Sequence, residues 1–388
     1  MKELLIVNNN MKVGGVQKSL YNLLWSLDPQ EYRITLLLFS RTGVYLDQLP
    51  EHVRVTEVDG SFRLFGKSQK EYTGAEALQR GFLAVVSRFF GRDAAVRLML
   101  HRQPALPQRY DCAIAFLNNG SRDALYGGVQ DFVLHCVDAD RKVVFLHSDY
   151  QLSGANHPEN NRMMEKFDLI AACSVGCRRR FVESMPHLAE RCVAVPNCHR
   201  MEEILALAEE QSVAYAEDAV HIVTVARMTP RKGVDRAIRA VAAARDRGIA
   251  AVLHILGNGP MWDDLQTLTQ QLGVADAVVF HGEQSNPYPF IKQADLMLLS
   301  SYHEAAPMVI DEARCLGVPI LSTEIISTKE MVIEAGAGWV CANDQTALDE
   351  ALYRVLTDSE GLDAVRRHLT ENRADNRVAL EQFAQLFT

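Results

Sequence analysis

Glu304 and Glu312 stand eight residues apart in SSYHEAAPMVIDEARCLGVP (300–319). The apolar run LMLLSS (296–301) reads as a buried parallel strand. Pro307, with its fixed φ, suits a helix start, and MVIDEARCL follows with helical spacing. The pattern therefore predicts Glu304 on the loop at the carboxyl end of a strand, and Glu312 just over a turn inside the next helix. Both can face a crevice outside the sheet, where open α/β folds bind ligands. One carboxylate can hold sugar hydroxyls and the other a ribose. The helix start between them, at Met308 and Val309, offers N–H groups to a phosphate.

A second constellation lies upstream in VARMTPRKGVDRAIRAV. Arg227 ends a strand, and Lys232 follows five residues later, just ahead of a helix carrying Val234, Ile238 and Val241. Two cations on one strand-to-helix loop can neutralise a diphosphate leaving group without a metal. Gly233 permits close approach of backbone. Arg231, Arg236 and Arg239 are expected to be solvated. Further on, HILGNGPMWDDL sets Gly257, Asn258 and Gly259 between a strand and a helix, on a loop facing the same edge. His281 and Gly282 close another strand and either border a base or belong to an ordinary loop.

In the first half, His147 closes KVVFLHSDY at the end of an apolar strand. A histidine there can donate to a sugar hydroxyl or to a developing charge. At the start, LLIVNNNMKVGGVQKSL reads as strand, loop, double glycine and helix. Gly14 and Gly15 either let backbone approach a ligand and expose helix N–H groups, or simply make a tight turn. The pattern is not GxGxxG and lacks an acidic residue at a ribose position, which disfavours a nicotinamide cofactor.

These residues need strands and helices to hold them. The chain has 388 residues, 48% hydrophobic and 23% charged, which fits two domains with sizeable cores. Strand-like runs appear at 4–9, 34–39, 53–58, 112–117, 142–147, 168–173 and 192–196. They recur at 221–226, 250–256, 277–282, 294–300, 318–323 and 336–341, separated by helical stretches. Such alternation means parallel βαβ units, and the apolar runs fit sheets covered on both faces. The expected fold is α/β, with two Rossmann-like doubly wound domains facing across a cleft. The expected boundaries are 1–198 for an N-terminal domain and 199–372 for a C-terminal domain that carries the Arg227 and Glu304 loops. Residues 373–388 are expected to form a helix packing back toward the N-terminal domain. The polar, acidic stretch 196–219 reads as a linker with a short helix.

Eight scattered cysteines without zinc spacing suggest reduced thiols in a cytoplasm. No apolar run reaches membrane-spanning length, and MKELLIVNNN reads as a strand rather than a signal peptide. A net charge of −9 argues against wholesale nucleic-acid binding. The charge is uneven, however. Residues 61–110 hold nine Lys/Arg against three acids, among them Lys70, Arg80, Arg88, Arg92, Arg97 and Arg102. Within them, GFLAVVSRFFGRDAAVRLML sets large apolar residues beside arginines. A basic amphipathic helix of this kind can lie on an anionic membrane face, or its apolar stripe can pack on its own domain.

Taken in order, the double-glycine loop, FLHSDY, VARMTPRKG, LGNGP and the E-x7-E of HEAAPMVIDEARCLGVP resemble family 4 glycosyltransferases of the GT-B fold. The resemblance spans nearly the whole chain. It implies transfer of a sugar from a nucleotide-sugar to an acceptor hydroxyl with retention of anomeric configuration, in cell-envelope, exopolysaccharide or lipopolysaccharide assembly. It implies that Arg227 and Lys232 hold the diphosphate, that Glu312 binds the ribose and that Glu304 binds the donor sugar. Met308 and Val309 would meet phosphate, His147 would contact the donor sugar, and Gly14 and Gly15 would close over the phosphate. Gly257 and Asn258 would line the nucleotide site, and Asn197 resembles a hinge. No metal and no cofactor are implied, the donor being a UDP- or GDP-linked sugar and the acceptor a glycan or a lipid-linked one. The chain departs from the family at Ala305 and Ala306, where glycine and a bulky apolar residue usually stand, at Cys198 after the hinge Asn, and at Gln17. Two other classes fit the same residues: a non-catalytic nucleotide-sugar-binding protein, and another GT-B-type enzyme such as an inverting transferase or an epimerase.

Overall fold

A computed structural model of the chain describes residues 1–67, 71–119, 127–216 and 218–387. The chain divides into two units, one of residues 1–199 with 376–388 and the other of residues 200–375.

In the first unit seven strands form one sheet: β1 (Lys2–Asn8), β2 (Tyr32–Leu38), β3 (Arg54–Glu57), β4 (Arg109–Ala115), β5 (Asp138–Leu146), β6 (Leu169–Ala172) and β7 (Cys192–Ala194). Their order is β3-β2-β1-β4-β5-β6-β7, and every pairing is parallel. The order reverses direction between β1 and β4, so their carboxyl ends diverge into a crevice at a switch point. Leu4, Leu5, Ile6 and Val7 are all fully buried, as expected of a strand covered on both faces. The last helix, Arg377–Ala384, belongs to this unit. Its Phe383 meets Tyr32 edge-on, with ring centroids 6.1 Å apart, and Ala379 and Leu386 join the same apolar cluster.

The second unit repeats the plan with six strands: β8 (Val220–Val225), β9 (Ala251–Leu256), β10 (Val278–Gly282), β11 (Leu296–Leu299), β12 (Ile320–Thr323) and β13 (Gly338–Cys341). The order is β10-β9-β8-β11-β12-β13, again parallel throughout. The switch point falls between β8 and β11, the strands that precede the Arg227 loop and the Glu304 loop. One apolar cluster covers each face of this sheet, built around Ile238, Leu253 and Leu352 on one side and Ile310, Met297 and Val332 on the other.

The acidic stretch after residue 196 is not a free tether. Met201–Leu207 is helical, and Ile204 and Ala208 are buried in the second unit's core beside Cys315. Its acids face outward while two apolar residues at helical spacing dock it. The basic stretch 81–100 is also not one helix. It divides at Gly91, whose φ of 85° stops the helix Gly74–Phe90 before a second one, Arg92–Leu100, begins.

Candidate functional site

The strands β8, β9 and β11 deliver their carboxyl-end loops side by side, and glycines make the fit possible. Gly257 has φ of 129°, and a Cβ there would overlap the Ala226 carbonyl. The Met228 N–H donates to the Asn258 carbonyl at 2.9 Å. Gly257 and Asn258 thus brace the Arg227 loop from the β9 side. From the β11 side, the Tyr302 N–H donates to the Arg231 carbonyl at 2.9 Å. Gly233 has φ of 60°, and a Cβ there would overlap the Ser300 carbonyl. Ser300 Oγ in turn donates to the Gly233 carbonyl at 2.7 Å.

This bracing brings Lys232 to Glu304. Lys232 Nζ forms an ion pair with Glu304 Oε1. Ser301 Oγ donates to the same oxygen at 3.0 Å. The side chains are 21% and 11% exposed, so the pair is sheltered but reachable. Arg227 is exposed on the same loop, and its guanidinium has no hydrogen-bond or ion-pair partner among the described residues. Past Glu304, Pro307 caps the helix Met308–Cys315. The first N–H groups of that helix, on Met308 and Val309, have no acceptor within the helix and carry its positive dipole end. Glu312 lies one turn further in and is 2% exposed.

The sequence pattern missed what holds this edge from behind. Arg236, expected in solvent, is buried at 3% exposure, while Arg231 and Arg239 are exposed. Charge alone misled, because the helix Val234–Asp246 turns the Arg236 face inward beneath the loops. Arg236 Nη1 donates to Asn343 Oδ1 at 2.7 Å, and the guanidinium lies over the Tyr302 ring, 4.6 Å from its centroid. Asn343 Nδ2 donates to the carbonyls of Tyr302 at 2.9 Å and Glu324 at 2.8 Å.

His281 closes a run of hydrogen-bonded imidazoles crossing three strands. His221 Nδ1 lies 2.8 Å from His254 Nε2, and His254 Nδ1 lies 3.0 Å from His281 Nε2. Tyr215 stacks on His221 and His254, with centroids 4.5 and 4.0 Å away. Burial, with the two neighbouring rings, lowers the His254 pKa to about 4. The rings run edge to edge rather than converging. Among the described residues no group of His, Cys, Asp or Glu is disposed to hold a metal ion.

The remaining candidates sit in the first unit. His147 follows β5, its N–H donating to Asn118 Oδ1 at 3.0 Å. Its ring lies against Phe116 and Phe145, with centroids 4.7 and 5.7 Å away. Burial lowers its pKa to about 4, against the opposing effect of a Phe116 backbone hydrogen bond. Nε2 is shut from solvent without a partner. The ring is therefore neutral at pH 7. It cannot serve there as a standing cation. Gly15 opens the helix Gly15–Ser26, and a Cβ on it would meet nothing within 4 Å. Gly14 precedes it in extended conformation, its would-be Cβ reaching only the Gln17 side chain. Asn197 is tied down, its Oδ1 accepting from Ser19 Oγ at 2.6 Å.

Of the basic residues expected on a membrane face, Arg92 is buried and paired with Asp131 at 2.6 Å. Lys67 pairs with Glu76 at 2.6 Å, and Lys70 lies outside the described residues. Arg88, Arg97 and Arg102 are exposed. No helix among the described residues is long and apolar enough to cross a membrane.

Residues 208–375 match the family described as glycosyl transferases group 1. Among curated proteins, the chain is 28% identical over 247 residues to an exopolysaccharide phosphotransferase of Streptomyces coelicolor, covering 62% of this chain and 25% of that protein. It is 32% identical over 131 residues to the lipopolysaccharide glucosyltransferase WaaG of Escherichia coli K12, covering 33% of this chain and 35% of that one. The chain thus spans well under half the length of these curated relatives. Among solved structures, HepE of Anabaena in complex with UDP superposes with a TM-score of 0.67 at 17% identity, over 99% of both chains. The chain has the GT-B fold, and with the group 1 match across its C-terminal unit it resembles the retaining glycosyltransferases of the family 4 type.

Proposed function

We propose that the chain is a retaining glycosyltransferase that moves a sugar from a UDP- or GDP-linked donor to an acceptor hydroxyl in cell-envelope or exopolysaccharide assembly. The observation that carries this reading is the Lys232–Glu304 ion pair beside the start of the helix Met308–Cys315, with the unpaired Arg227 on the adjoining loop.

The chemistry asks for that combination. Breaking the anomeric C–O bond leaves positive charge on the sugar ring and new negative charge on the diphosphate. Arg227, Lys232 and the N–H groups of Met308 and Val309 are aimed where that charge appears, so they favour the transition state over the ground state. Glu304 takes the donor sugar's hydroxyls and Glu312 the ribose hydroxyls. Gly257 and Asn258 line the nucleotide, and Gly14 and Gly15 close over its phosphates. His147, neutral, is assigned to the donor sugar. The acceptor oxygen attacks the face the phosphate leaves, and the departing phosphate oxygen takes its proton. The new C–O bond then keeps the configuration of the old one. The units divide near Asn197, and residues 1–198 are assigned the acceptor.

The acceptor is proposed to be a glycan or a lipid-linked one, with the protein in the cytoplasm and touching the inner membrane face. On the helix Gly74–Phe90, Leu78, Phe82, Val85 and Phe89 are 78%, 59%, 55% and 73% exposed. Their spacing puts them on one side of the helix, and exposed Arg88, Arg97 and Arg102 add the charge that anionic lipid attracts.

The test is a panel of UDP- and GDP-sugars screened by thermal shift, because a true donor stabilises the folded chain by mass action. Transfer from the stabilising donor follows, with the product's anomeric centre assigned by NMR. An inverted product, or binding with no release of nucleotide, contradicts the proposal.

A further inference from the structure

We propose that Arg236 and Asn343 are positioning residues that set the Glu304 loop for sugar transfer, an inference that rests on the transferase reading of this site. Neither residue approaches Glu304 directly. Arg236 lies on the helix after the Lys232 loop, and Asn343 follows β13. Their contact at 2.7 Å joins two segments 107 residues apart.

What they hold is the start of the catalytic loop. Asn343 Nδ2 reaches the carbonyls of Ser301 at 3.5 Å and Tyr302 at 2.9 Å. Thr323 Oγ1 also donates to the Ser301 carbonyl at 2.7 Å. The Arg236 guanidinium meets the loop twice, through the Ser300 carbonyl at 3.4 Å and over the Tyr302 ring, 4.6 Å from its centroid. Ser301, pinned on its backbone by these groups, then donates its hydroxyl to Glu304 Oε1. The path from Arg236 to the carboxylate is therefore Asn343, the Ser301–Tyr302 backbone, Ser301 Oγ, Glu304.

A guanidinium is a costly filler for this space. Arg236 Nη2 is buried without a partner. An apolar side chain of similar size would cover the same helix face without stranding a donor. The rigid fork does what an apolar group cannot: it orients Asn343, so that the amide's N–H groups rather than its carbonyl face the loop. Small displacements of a group that touches the reacting sugar translate into large losses of rate.

The experiment compares Arg236→Gln, Asn343→Ala and the double variant with the wild type. It measures kcat, donor KM, affinity for the free nucleoside diphosphate, and Tm. Each single change is expected to lower kcat at least tenfold and to leave the nucleoside diphosphate affinity within about threefold. The double variant should be no worse than the poorer single, because both act through one path. Arg236→Lys should not restore kcat, since an ammonium cannot both stack on Tyr302 and orient Asn343. Should Arg236→Gln fail to fold, Tyr302→Leu serves instead, because Tyr302 is 49% exposed and its loss should spare Tm while lowering kcat severalfold. Folded variants with wild-type kcat, or losses that follow Tm and nucleotide affinity alone, overturn the inference while leaving the transferase reading intact. A wild type that transfers no sugar from any donor overturns both.

Discussion

Lys232 and Glu304, 72 residues apart in sequence, meet as an ion pair at the edge of the second sheet. Each comes from the loop after one of the two strands, β8 and β11, that flank the switch point. A cation and a carboxylate are thus held in contact, with the start of the helix Met308–Cys315 next to them.

Removing either partner should stop transfer without unfolding the chain. Lys232→Ala is expected to lower kcat by about 10²–10³, the range for losing one preorganised stabiliser of developing charge. Glu304→Gln should act similarly by weakening its hold on the sugar. The pair is partly exposed, so Tm should move by only a few degrees. Steady-state rates with circular dichroism melts check both.

The glycines separate fold from function. Gly233→Ala puts a Cβ at φ of 60° against the Ser300 carbonyl. It should cost about 1–3 kcal/mol of stability, together with activity. Gly15→Ala meets nothing within 4 Å, so stability should hold or rise slightly. If Gly15 lets backbone approach a ligand, donor KM should nevertheless rise. Urea unfolding paired with kinetics reads the two effects apart.

Stability should fall on mild acidification. His147 and His254 each have a folded pKa of about 4 against an ordinary 6.5. As pH drops through 6.5 the unfolded chain takes up protons that the folded chain refuses, so each residue favours unfolding. The loss grows between pH 6.5 and 4, by up to about 1.4 kcal/mol per pH unit for each residue. Above pH 6.5 these two groups contribute no slope. His147→Phe keeps the packing on Phe116 and Phe145 and should flatten the curve measured by urea unfolding at stepped pH.

Phe82→Ser with Phe89→Ser should cut binding to vesicles rich in anionic phospholipid at least tenfold, with Tm unchanged, because both rings are already exposed. Raising salt should weaken wild-type binding as well. Cosedimentation equal for the variant and the wild type would remove the membrane contact from the proposal.

The strands were readable because parallel sheets buried on both faces need continuous apolar runs, and LLIV, AVLHIL and LMLL supply them. The two charge spacings were readable because a strand end, a loop and a helix start fall in register with them. The ion pair between Lys232 and Glu304 was not, since it depends on β8 lying beside β11. Arg236 looked like any surface arginine, and its burial depends on Asn343 and Tyr302, far along the chain. His254 sits in an apolar run that gives no hint of His221 and His281 on the neighbouring strands. The short helix expected within the 196–219 linker is Met201–Leu207, but nothing local to MEEILAL tells which core Ile204 docks into. What local pattern cannot carry is pairing between distant segments, and the scaffold around the candidate site consists of such pairs.

The most direct measurement is a calorimetric titration of UDP and GDP into the wild type, Arg227→Ala and Lys232→Ala. If the diphosphate sits between these two cations and the helix start, one nucleotide binds the wild type in the micromolar range and each variant binds it at least tenfold more weakly. Equal affinity in all three proteins, or no binding to the wild type by either nucleotide, would contradict the assignment.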